Sequence, residues 1–205
     1  MTLRRLSDAR IATLIIIYSL TLGASMVDAR EEDLLEPLRA YVREVATSSQ
    51  EVSADRKLLL EQAAHVVASQ LDAGDAVNLT FICTHNSRRS HLGQVWAQAA
   101  ASFYDLPHDR VRTYSGGTES TACNIRTVRA LRRAGMSVVE ADSGDGNPLY
   151  LVQHAEKAPI ARAFSKIYNR DGNPTKNFLA MMCCSDADEK CPIVAGATKR
   201  FSLHY

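Results

Sequence analysis

The stretch VNLTFIC, residues 77–83, constrains this chain more than any other. It is a short, nearly continuous apolar run ending on Cys83, the pattern of a strand buried on both faces of a parallel sheet. Arg89 follows six residues later, with Ser90 next, and then Leu92, Val95, Trp96, Ala99, Ala100 and Phe103 recur on one helical face. The unit is strand, loop, helix. A parallel strand needs a crossover before its neighbour, and the downstream chain supplies that alternation. RVRTYSGG reads as a second strand ending in glycines, and NIRTVRALRRAG as a helix capped by Asn124 in front and Gly135 behind. MSVVEAD reads as a third strand, and residues 142–160, rich in Gly, Pro and Asp, as a long loop or insertion. ARAFSKIYN, NFLAMMCC and RFSLHY are further strand candidates. The expected fold is α/β: a three-layer sandwich with a central parallel sheet and right-handed crossovers, over residues 76–205.

The chain has 205 residues, enough for such a domain and an appendage. Residues 30–75 predict a helical hairpin. Leu34, Leu35, Leu38, Tyr41, Val42 and Val45 form one stripe, and Leu59, Ala63, Val66, Val67 and Leu71 another, with TSSQEVSAD between them. Residues 1–29 differ from the rest. MTLRRLSDAR is basic, and IATLIIIYSLTLGASMV is apolar. Val27 and Ala29 are small residues placed for signal peptidase, so one reading is a secretory signal cut after Ala29. A second is a membrane anchor, although the run is marginal for a full span. A third is a spurious extension, with the true start at Met26. Export would place the protein in an oxidising compartment. A start at Met26 would leave it in the cytoplasm.

Net charge is +1, which gives no electrostatic case for nucleic acid or an anionic membrane surface. There are five cysteines: Cys83, Cys123, Cys183, Cys184 and Cys191. An odd number in a chain of this length does not describe a disulfide framework. No Cys/His spacing matches a closed zinc site, and no metal or tightly bound cofactor is expected. Cys123 precedes a helix without a motif and reads as structural. Cys183 alternates with Cys184 along its strand, so it should face the other side and belong to the core.

A loop between a strand end and a helix start can turn successive backbone N–H groups inward as a nest for an anion. The helix N-terminus adds partial positive charge, and both effects favour a thiolate at Cys83. Arg89 can hold two oxygens of a tetrahedral oxyanion through its planar fork. Ser90 can donate a hydrogen bond to the sulfur, and Asn86 can take the left-handed backbone such a loop needs. Thr84, His85, Asn86, Ser87, Arg88 and Arg89 are therefore the candidate oxyanion-binding residues, and Cys83 the candidate nucleophile. Arg88 has no more specific role. His85 and His91 read as shaping the loop or its rim.

FICTHNSRRS resembles the phosphate-binding loop of the low-molecular-weight protein tyrosine phosphatases, whose fold the thioredoxin-coupled arsenate reductases share. The resemblance spans roughly residues 77–205. It implies that Cys83 attacks phosphorus or arsenic, that Arg89 binds the oxyanion, and that Asn86 and Ser90 support the loop. MMCCSDADEKCPIV resembles the redox segment of those reductases. It implies a relay in which Cys83 attacks arsenate, Cys184 attacks the adduct and Cys191 attacks Cys184. Thioredoxin would then reduce the final disulfide. The segment between Cys184 and Cys191 is expected to be a mobile loop or a frayed helix.

The family also carries an Asp-Pro after the last strand, the general acid of the phosphatases, and then a closing helix. Here RFSLHY runs to Tyr205, which implies a C-terminally truncated domain without that acid. Asp171, Asp186 and Asp188 do not occupy the matching place, and the last two read as helix-capping or solvated charges. Three functions follow. Arsenate reduction leads, a phosphatase acting on phosphotyrosine is second, and an inactive oxyanion-binding or regulatory protein is third.

Overall fold

A computed structural model describes residues 31–48 and 51–205. The signal, anchor and alternative-start readings of residues 1–29 lie outside the described residues. Among the described residues, no helix is long and apolar enough to cross a membrane.

A 3-10 turn at Glu31–Asp33 leads into α1 (Glu36–Ser48) and then α2 (Ala54–Asp72). The αβ unit follows as β1 (Val77–Cys83), α3 (Arg89–Phe103), β2 (Val111–Gly117), α4 (Ile125–Arg133) and β3 (Ser137–Asp142). The remainder is β4 (Leu149–Gln153), β5 (Ala161–Ala163), β6 (Phe178–Met182), α5 (Ser185–Lys190) and β7 (Ala197–Ser202). The central sheet has the order β2-β1-β6-β7 with every pairing parallel, so the expected architecture is present. β6 is buried at all five positions and β1 at five of its seven, as central parallel strands require.

Three elements differ from the sequence reading. MSVVEAD is a strand, but β3 joins β4 and β5 in a separate antiparallel sheet. Its burial shows why: Val138 is buried while Val139 is 57% exposed, the signature of a sheet with one wet face. Residues 142–160 are not one loop, because LYLVQ within them forms β4 with alternating burial. The Gly and Asp that signalled a loop, with Pro148, occupy the turn before it. The helical pair is present too, yet the two helices enter different cores. Leu34 and Leu38 at α1 pack with Val95, Ala99, Val128, Leu131 and Val152, and Tyr41 stacks on Trp96 with ring centroids 5.3 Å apart. Ala63, Val66 and Val67 of α2 instead join Val77, Phe81, Phe178 and Phe201.

Gly135 shows how tightly α1 is docked. It closes α4 at φ +98°, and a Cβ there would lie 2.4 Å from the Pro37 backbone. Only glycine satisfies both demands.

Chain connectivity places the functional crevice. From β1 the chain crosses to β2 on one side, and from β6 it crosses to β7 on the other. β1 and β6 are neighbours, so the direction of winding reverses between them. Ligands of open α/β sheets bind outside the carboxyl ends of strands at such a point. The segments leaving β1 and β6 there begin at Cys83 and Cys183–Cys184.

Candidate active site

The loop from Cys83 to Arg89 is held with its carbonyls turned outward. Cys83 O accepts from Thr118 N at 3.1 Å, and Thr84 O from Glu119 N at 2.8 Å. His85 O accepts from Ser165 Oγ at 2.8 Å and Thr121 Oγ1 at 3.1 Å. Ser87 O accepts from Asn124 N at 2.9 Å and Thr127 Oγ1 at 3.2 Å. Among the described residues, no protein acceptor takes the N–H groups of residues 84–90. Arg88 is the N-cap of α3 and makes no side-chain cap bond, so the helix end is open as well. Outward carbonyls with unclaimed amides make an anion nest.

Asn86 sets the loop's shape. It is fully buried with φ +43°, the left-handed conformation expected of it. Its Oδ1 accepts from Lys166 N at 2.9 Å, and its Nδ2 donates to Ser90 Oγ at 2.8 Å. Ser90 is also fully buried, with Oγ 3.1 Å from Cys83 Sγ. Because Asn86 already donates to that oxygen, the hydroxyl proton is free to point at the sulfur. Gly117 makes room for this arrangement, since a Cβ there would meet Thr84 O at 2.6 Å and Asn86 N at 2.8 Å.

The remaining loop residues divide between rim and wall. Arg89 is half-buried, and among the described residues its guanidinium has no hydrogen-bond or ion-pair partner, which leaves its fork for a ligand. Arg88 is exposed, and Ser87 Oγ donates to Ala122 O at 2.7 Å. His85 is exposed, its Nε2 3.5 Å from Glu119 Oε2. His91 is not at the rim. It is fully buried, with Nδ1 3.0 Å from Ser115 Oγ. Burial, reinforced by the Lys166 charge, lowers its pKa to about 3, so it is a neutral strut.

The second cysteine cluster borders the same crevice. Cys183 N donates to Ile82 O at 2.7 Å, which sets the end of β6 beside the end of β1. Cys184 is 1% exposed, and its Sγ lies 3.6 Å from Thr84 Oγ1 on the residue after Cys83. Cys184 and Cys191 are the N-cap and C-cap of α5, so the intervening segment is a short helix. All five cysteines are free thiols, with Cys191 half-buried. Cys183 is fully buried, and burial pushes its pKa to about 12. Cys123 is likewise pushed up to about 12 by burial in the other core. Both suit packing rather than nucleophilic work.

Asp188 departs from expectation. It is 9% exposed and not a solvated charge. Its Oδ2 accepts from Ser202 Oγ at 2.6 Å and lies 2.8 Å from His204 Nε2, and Arg200 pairs with its Oδ1. Burial alone would raise its pKa, but these hydrogen bonds and the Arg200 charge together hold it below the usual value. Among the described residues, no cluster of His, Cys, Asp or Glu is arranged to hold a metal ion.

No protein-family model matches the chain. Arsenate reductase 2 of Staphylococcus epidermidis is 26% identical over 128 residues, which cover 62% of this chain and 74% of that protein. Arsenate reductase of Bacillus licheniformis is 29% identical over 120 residues, 58% of this chain and 66% of that protein. By sequence, this chain is similar to bacterial arsenate reductases. A solved structure, the Corynebacterium glutamicum thioredoxin-dependent arsenate reductase Cg_ArsC1′, aligns over 96% of this chain and 83% of its own, with a TM-score of 0.32 and 16% identity.

The residues that sequence reasoning missed are the loop's outer supports: Thr118, Glu119, Ser165 and Lys166. None carries a motif. The one available signal was the glycine pair ending YSGG, since glycine at a buried strand end marks a close backbone approach.

Proposed function

We propose that this protein is an enzyme that reduces arsenate to arsenite through Cys83, Cys184 and Cys191. In the first step the Cys83 thiolate attacks arsenic and an oxygen leaves as water, with Arg89 and the loop amides holding the remaining oxygens. The Cys184 thiolate then attacks the Cys83 sulfur. The S–As electron pair stays with arsenic, arsenite departs, and a Cys83–Cys184 disulfide forms. Finally the Cys191 thiolate attacks Cys184, which frees Cys83 and leaves a Cys184–Cys191 disulfide. Two thiols have supplied the two electrons that arsenic gained. A dithiol protein of the thioredoxin class would restore them.

The observation that carries this reading over phosphoester hydrolysis is the placement of Cys184. Its sulfur lies 3.6 Å from Thr84 Oγ1, in the wall of the loop that begins at Cys83. Hydrolysis needs no second thiol there, whereas a relay does. The arsenate reductases among its sequence relatives support the same choice. The test is arsenite release from the full chain with thioredoxin, its reductase and NADPH. Cys83→Ser is expected to abolish release. Release at the wild-type rate from that variant would overturn the proposal.

A further inference from the structure

A cleft of about 340 Å³ opens between α3, β2 and the chain from Pro159 to Asn173, and it shares no lining residue with the Cys83–Arg89 loop. Its volume is at the small end for ligand sites. Lys166 lines it and is only 5% exposed. The ammonium has Ser115 Oγ at 3.5 Å and Phe164 O at 3.4 Å, both at the outer limit of a hydrogen bond. It also lies 4.5 Å from the centroid of the Phe164 ring, and the Arg162 guanidinium lies 5.6 Å from the same ring. Among the described residues, neither cation has a carboxylate within ion-pair distance. Burial lowers the Lys166 pKa to about 8, partly offset by Asp171 and Cys123, with Arg162 pushing the same way as burial. A buried cation without a carboxylate partner is costly, and here buried Lys166 shares the Phe164 ring with exposed Arg162.

Arg112 is a third cation in the lining, against Asp171 as the lining's one carboxylate. Two further lining atoms, Gln94 Oε1 and Thr113 Oγ1, are buried without a hydrogen-bond partner. The set asks for two negative charges and at least one donor. We infer that this cleft binds a small hydroxylated dicarboxylate, its carboxylates on Arg112, Arg162 and Lys166 and its hydroxyl on Gln94 and Thr113. The site is independent of the arsenate reading. It nevertheless touches the loop's support, because the Lys166 main-chain N–H holds Asn86.

Calorimetric titration of the full chain with L-malate, and with succinate, which lacks the hydroxyl, tests this. Saturable malate binding is expected, tighter than succinate. Arg162→Ala, at an exposed side chain that can be removed without opening the core, is expected to weaken it about tenfold or more. Lys166→Met is expected to weaken it further. Arg89→Ala should leave it unchanged, since a dianion held in the loop would be lost there. Absence of saturable malate binding would overturn the inference, as would equal loss in Arg89→Ala. Equal affinity for succinate would overturn the assignment of Gln94 and Thr113.

Discussion

In the proposed relay, Ser90 and Asn86 prepare Cys83 for attack. The chain Lys166 N–H to Asn86, Asn86 to Ser90 and Ser90 to Cys83 aims one hydroxyl proton at one sulfur. Asn86→Ala removes two buried hydrogen bonds and puts a less suitable residue at φ +43°. The expected loss is about 2–4 kcal/mol of stability, read from urea unfolding. Ser90→Ala removes the bond to sulfur and also the oxygen that accepts from Asn86 Nδ2. Arsenite release should then fall while half-saturation by arsenate changes little, because the hydroxyl acts on the sulfur and not on the oxyanion. A Ser90→Ala enzyme as fast as wild type would remove Ser90 from the chemistry. The places of these residues were legible in the sequence because they depend on local spacing: a C-x5-R loop needs a left-handed residue and a donor in the first turn of the helix. Lys166 and Ser165 were not legible. They reach the loop from eighty residues away in sequence, and nothing local distinguishes them.

For the proposed relay, the element that must move is α5. Seven residue steps of helix separate the Cα atoms of Cys184 and Cys191 by about 10 Å, whereas a disulfide requires roughly 4.4–6.8 Å. The relay therefore needs α5 to unwind. Asp188 opposes this, because it lies within α5 and is tied to Ser202, His204 and Arg200 at the β7 end. Asp188→Asn keeps the volume and removes the charge. It should lower the melting temperature by several degrees and speed diamide-driven Cys184–Cys191 disulfide formation severalfold. An unchanged oxidation rate would mean that Asp188 does not restrain the helix. The sequence reading was a mobile loop or a frayed helix, and it missed the anchor, since an Asp on a polar helix carries no sign of the strand it meets. The same limit produced the error at β3. Its apolar run identified a strand, but pairing partners are set by the connection that follows, here a hairpin rather than a crossover, and the turn-rich residues 142–148 hid β4.

At the scale of the whole molecule, two buried histidines set the acid limit. His91 has its pKa lowered to about 3 and His154 to about 4, in both cases mainly by burial. Unfolded, each binds a proton near pH 6.5. Between the folded and unfolded values the unfolded chain holds more protons, so stability falls as pH drops below about 6.5. At pH 5 the cost is about 2 kcal/mol for each histidine. Urea midpoints should fall clearly between pH 7.5 and pH 5, and His154→Gln should remove about half of the change. Equal midpoints in the wild type would contradict the burial of both rings as neutral groups. The fold's outline was readable from strand and helix periodicity. How α1 and α2 divide between two cores was not, because each stripe predicts a buried face without naming its cover.

The proposed relay draws its two electrons from the chain's own thiols, and a single turnover reads this out. Fully reduced full-length protein is mixed with arsenate in the absence of thioredoxin, quenched in acid, and its disulfides are mapped by mass spectrometry. About one arsenite per chain is expected, with a Cys184–Cys191 disulfide in the wild type and a trapped Cys83–Cys184 disulfide in Cys191→Ser. Arsenite release with all of these thiols still reduced, or from Cys83→Ser at the wild-type rate, would contradict the relay.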